Sequence, residues 1–131
     1  MALRQEFAAP AGTKSPEAER VLTAAVLRAA ELLGVTQAEL ATVLGVSAAT
    51  VSRMGAGRYS LQPDRKEWQL GALFVRMFRS LDSITGGRDD LSRAWLRGQN
   101  KALAGAPLAM LNDIERFVRV VQYLDASRAQ V

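Results

Sequence analysis

Apolar residues recur at three- and four-residue steps in successive segments parted by glycine or proline, the pattern of short amphipathic helices. The first opens at Ser15-Pro16-Glu17, a cap, a proline at the first helical position and an early acid. Ala18, Val21, Leu22, Ala25, Ala29, Leu32 and Leu33 then share a face, and Gly34 ends a helix predicted over 16–33. Two shorter helices are predicted over 37–43 and 48–55. Thr36 and Glu39 have capping-box spacing, Leu40, Ala41 and Leu44 share a side, and Gly45 suits a turn at positive φ. Ser47 caps the next helix, whose inward residues are Val51 and Met54. A long helix over 63–85 carries the stripe Leu70, Leu73, Phe74, Met77, Phe78 and Leu81, with Trp68 just beside it. Such a stripe needs a partner surface, either the C-terminal segment or a second copy. After Gly86-Gly87, Asp89 or Asp90 is expected to cap a short helix bearing Leu91, Ala94 and Trp95. Residues 98–107 read as a loop with Asn100 and two glycines, and Pro107 as the start of one turn through Leu111. Asp113 opens the last helix, with Ile114, Phe117, Val118, Val121 and Leu124 inward. Residues 1–14 read as a flexible arm anchored only by Leu3 and Phe7, and 126–131 as a mobile tail.

Composition narrows the function. The chain has 131 residues, 49% of them hydrophobic, enough for one core or two small ones. No apolar run approaches the ~20 residues of a membrane helix, and the first residues lack a signal-like apolar core, so a cytoplasmic protein with no membrane partner is expected. There is no cysteine and no histidine, which removes the commonest metal ligands and the commonest general base. No metal site, cofactor or catalytic residue is expected, and the chain reads as a non-enzyme. Asp89 and Asp90 are its one adjacent acid pair considered for carboxylate chemistry, and they read as helix-start residues.

The net charge is +4. Residues 1–62 hold six basic and five acidic side chains, and 63–131 hold eleven and eight. The short-helix pair at 36–57 meets the needs of a helix-turn-helix: small Ala41 at the crossing, the turn at Gly45, and polar residues outward on the second helix, which enters the DNA major groove. Arg53 is the candidate for a bidentate guanine contact. Ser47, Ala48, Ala49, Thr50 and Ser52 lie on the same side, with Ala48 or Ala49 able to meet a thymine methyl. Ser47 and Thr50 read equally well as caps, and Arg53 as a helix-end cation. Gln37, Arg58 and Tyr59 are placed for phosphates. A nearly neutral reader binds weakly as one copy, so a homodimer on operator DNA is expected, with the 63–85 helix as its contact.

The run TQAELATVLGVSAATVSR resembles the Xre-type, phage-repressor-like helix-turn-helix family, typified by TQxELAxxLGVSxxTVSR. The resemblance implies an all-α chain: a lambda-repressor-like helix-turn-helix over 15–62, then a small helical domain over 63–131. A second segment, about 64–125, resembles the toxin-binding domain of Xre/MbcA/ParS-type antitoxins through Trp95-Leu96, Asn100, Leu103, Pro107-Leu108 and Leu111. It departs from that family at Glu115-Arg116, where a glycine is usual, and at Tyr123-Leu124, where Tyr-Gly is common. The resemblance implies an antitoxin. Its C-terminal toxin-binding and dimerisation domain would occlude the active site of a RES-domain toxin that consumes NAD, and its helix-turn-helix would repress the operon. Arg97, Lys101, Arg116, Arg119 and Arg128, with three acids over 97–131, give a net +2 around the expected mobile end, suited to an anionic dinucleotide pocket. The bland reading is a solvated face. Asn100 and Tyr123 complete the candidate toxin contacts, Asn100 also being suited to satisfying loop amides. The alternative function is a stand-alone repressor whose C-terminal helices only dimerise.

Overall fold

A computed structural model describes residues 15–129, and the expected arm at 1–14 lies outside the described residues. The helices are α1 (Pro16–Leu33), α2 (Gln37–Leu44), α3 (Ala48–Gly55), α4 (Lys66–Ile84), α5 (Asp89–Arg97), α6 (Pro107–Met110) and α7 (Ile114–Arg128). The first three start with the side-chain caps expected of them. Ser15 accepts the amide of Ala18, Thr36 and Glu39 close a reciprocal capping box, and Ser47 accepts the amide of Thr50. Gly34 and Gly45 end α1 and α2 at φ 67° and 70°, a region costly for a residue with a Cβ.

The long helix α4 is the wall on which the rest is built. It packs against α1 and α2 on one side and α7 on the other, burying Phe74, Val75, Met77 and Leu81 inside the chain. Of its stripe, Phe74, Met77 and Leu81 are therefore covered by the chain's own helices, while Leu70, Leu73 and Phe78 are only partly buried. Each covered side chain contributes ~1.5–3 kcal/mol before entropy is subtracted. Where α1 crosses α4, Gly71 is buried. A Cβ there would meet Leu61 Cδ1 at 2.9 Å and Val26 Cγ2 at 3.2 Å. Buried Thr23 fixes the same crossing, donating to the carbonyl of Glu19 at 2.7 Å and accepting the amide of Leu61 at 2.9 Å. Accordingly α1 buries Thr23, Val26, Ala29, Ala30 and Leu33, and the expected face is corrected: Val21 is left outside. On α7 the buried set is Phe117, Val120, Val121 and Leu124, with Ile114 exposed.

Three further expectations change. Neither Asp89 nor Asp90 caps α5. Arg88 stands at the cap position with no side-chain bond to the helix, and the two acids lie in the first turn, where they suit the positive dipole end. The long helix starts at Lys66, with 63–65 in a turn. The expected tail is helical through Arg128, because α7 stays docked on α4: Asp125 accepts hydrogen bonds from buried Ser80 at 2.7 Å and from Arg76. Among the described residues no helix is long and apolar enough to cross a membrane.

Candidate functional site

The α2–turn–α3 unit presents one polar surface. Val51 and Met54 of α3 point into the core, while Ser47, Ala48, Ala49, Ser52 and Arg53 are exposed and Thr50 is half-buried. A hydroxyl chain runs along that surface. Arg53 donates to Thr50 Oγ1 at 3.0 Å, and Thr50 Oγ1 lies 2.9 Å from Ser47 Oγ. The guanidinium keeps further donors free and is already oriented, which lowers the side-chain entropy lost on contact. Gln37 at the head of α2 and Arg58 just past α3 are also exposed.

Tyr59 does not join them through its hydroxyl. That group donates to Glu67 Oε2 at 2.6 Å, and the amide of Gln62 reaches the same oxygen at 2.9 Å. Burial, with the Glu67 bond and charge, pushes the phenol up to about 12. Tyr59 thus fastens the segment after α3 to the start of α4. The expectation that its hydroxyl serves DNA phosphate is corrected on that ground.

In the C-terminal half the expected basic residues do not form one cluster. Arg97 turns toward the reader: it donates to both carboxylate oxygens of Glu39, at 2.8 and 3.0 Å, and to the carbonyl of Gly34 at 2.7 Å. Arg93 donates to the carbonyl of Leu32 at 2.9 Å. These two guanidinium groups satisfy the carbonyl end of α1, where a cation is favoured. The Arg97 bond, then the Thr36 amide, hold the Glu39 carboxyl down at about 2. Arg97 is therefore an anchor between the halves, not a free cation for an anionic pocket. Arg128 is on a docked helix and approaches Ser80 Oγ at 3.5 Å. Arg116 pairs with Asp113 at 3.5 Å, while Lys101 and Arg119 are exposed. Asn100 serves its loop, accepting the amide of Leu103 at 3.0 Å and bridging to Gly105.

What the C-terminal half does bring together is an aromatic pair. Trp95 of α5 stacks on Tyr123 of α7, ring centroids 6.4 Å apart and 15° from parallel, and both remain partly open. Leu91, one turn before Trp95, is 46% exposed, and Arg116 and Arg119 share the side of α7 that carries Tyr123. Trp, Tyr and Arg at one surface are the residue types that dominate protein contacts. Sequence reasoning did not assign Leu91 and Trp95 to this surface. The available signal was the buried pair on α5, Ser92 and Leu96: each sits one position after the larger apolar residue, which turns Leu91 and Trp95 about 100° from the core.

Two family models match the chain in tandem. The antitoxin Xre-like helix-turn-helix domain matches residues 14–76, and the antitoxin Xre/MbcA/ParS C-terminal toxin-binding domain matches residues 80–129. The join between them falls inside α4. No curated protein matches the chain significantly.

Proposed function

The chain belongs to the Xre/MbcA/ParS-type antitoxins, and on that footing we propose that it neutralises a RES-domain, NAD-consuming toxin with its C-terminal half and represses its own operon through α3. The observation that supports this best is the pairing of two open surfaces on one chain. The α3 face from Ser47 to Arg53 carries nothing apolar larger than alanine, so it fits a major groove, with Arg53 on a base edge and Gln37 and Arg58 on phosphates. The Leu91–Trp95–Tyr123 surface lies in the segment matched to the toxin-binding model. It offers an apolar anchor flanked by Arg116 and Arg119 to a protein with an anion-binding cleft. The toxin contact thus centres on Trp95 and Tyr123, with Arg116 and Arg119 at its edge, and occlusion of the active site follows from how the toxin seats there.

Co-expression with the adjacent gene, read by growth, pull-down and promoter occupancy, tests both surfaces. Arg53→Ala is expected to weaken operator binding ten- to a hundredfold, or about 1–3 kcal/mol, and to leave neutralisation intact. Leu91→Glu is expected to release the toxin and leave operator binding intact, since Leu91 supports no core. Equal neutralisation by Leu91→Glu and Arg119→Glu would overturn the proposed toxin surface. An adjacent gene product that neither arrests growth nor co-purifies would overturn the toxin reading.

A further inference from the structure

A cleft of ≈ 350 Å³ opens at the junction of the reader and the C-terminal half, and neither proposed contact uses it. Thr42 and Val43 of α2 line it, as do Leu108 and Ala109 of α6. The Glu39–Arg97 pair forms its charged part, and exposed Asn112 adds a carboxamide. Its size, its place between two parts of a chain and its few polar groups among apolar ones are those of small-molecule sites.

We propose that this cleft binds a small neutral carboxamide with an apolar body, held at its head by Glu39 and Arg97. The pair selects the head. Its two charges cancel, so a carboxylate drawn by Arg97 is repelled by Glu39, and an ammonium meets the reverse. A carboxamide carries both a donor and an acceptor without net charge. Both can be met with the pair intact. Glu39 Oε1 accepts from the Thr36 amide and from Arg97, while Oε2 accepts from Arg97 alone at 3.0 Å, which leaves Oε2 room for an amide N–H. Arg97 uses its two terminal nitrogens on Glu39 and Gly34, and among the described residues its Nε–H remains for an amide carbonyl. The Arg97 bond, then the Thr36 amide, hold the Glu39 carboxyl at about 2, so the acceptor stays ionised near neutral pH.

Val43 is buried and Leu108 half-buried, so an apolar ring laid against them removes their remaining surface from water. The lining comes from both halves, so the ligand binds only the assembled chain and stabilises it by mass action. A ring amide of this class is released when NAD is cleaved at its glycosidic bond. That choice of ligand rests on the toxin reading proposed above; the site itself does not.

Titration of the full chain alone with nicotinamide, followed by backbone amide NMR shifts and by thermal melting, tests the site. Saturable shifts centred on Val43, Arg97 and Leu108 are expected, with a raised melting temperature. Nicotinate and pyridylmethylamine keep the ring and replace the amide by an anion or a cation, and each should bind about tenfold more weakly or worse. Ala109 and Thr42 are exposed and line the cleft from different helices. A109W and T42W should therefore fill it without disturbing the fold, and each should lower affinity by about tenfold or more. Nicotinate binding as tightly as the amide overturns the proposal, as does binding indifferent to both tryptophans or the absence of saturable shifts in the cleft. Neither DNA nor toxin is present, so failure here leaves the proposed function standing, and a neighbouring gene that encodes no toxin leaves the site standing.

Discussion

Glu39 serves two structures at once. Its carboxylate accepts the Thr36 amide at 2.9 Å to complete a helix cap and receives both Arg97 bonds across 58 positions of sequence. Its folded value, about 2, lies below the ordinary 4.5. The stabilisation is therefore fully present above about pH 4.5 and is lost as pH falls through 2. Glu39→Gln should be the less stable protein at pH 7 in urea denaturation, and the gap to wild type should close between those two values. A gap independent of pH would mean that the charge of Glu39 contributes nothing. The cap was legible in the sequence because Thr36 and Glu39 are three positions apart and the interaction is local. The Arg97 bond was not, since nothing near Arg97 indicates which carboxylate it meets. Tyr59 illustrates the same limit. Its position after α3 suggested phosphate, and only the placement of Glu67 shows where its hydroxyl goes.

At the level of whole helices, ends were easier to read than faces. Caps at Ser15, Thr36 and Ser47 and glycines at 34 and 45 are chemical stops written into the chain. Which side of α1 is buried depends instead on where α4 lies, and Gly71 decides that. A glycine inside a helix costs about 1 kcal/mol relative to alanine, so Gly71 carries a local cost within α4. The crossing explains it, because a methyl group there meets Leu61 and Val26 at 2.9 and 3.2 Å. Gly71→Ala should destabilise despite its better propensity. Overpacking of about 1–3 kcal/mol, set against a propensity gain of about 1 kcal/mol, leaves a net loss of up to ~2 kcal/mol in unfolding free energy, read from urea denaturation. A stabilised variant would show that α1 and α4 can separate slightly without loss.

For the whole molecule, the order of its parts, reader first and toxin-binding segment second, was legible because each carries a contiguous motif. That α4 serves both was not, since its stripe is equally suited to a partner chain. Phe74, Met77 and Leu81 are buried, and Leu44 and Val26 reach Gly71 from the reader side. A fragment ending at residue 62 leaves Val26 and Leu44 without that cover, and circular dichroism should show it without a cooperative melt. A sharp transition in that fragment would show that the reader is sufficient by itself.

The shared helix also constrains how relatives can be recombined. A hybrid spliced at residue 62 would set one protein's α1 and α2 on another's α4, so Gly71 would face side chains never selected to leave it room. Hybrids that change operator preference while keeping the toxin partner should instead exchange only the outer positions of α3, leaving the long helix with the neighbours it was shaped against.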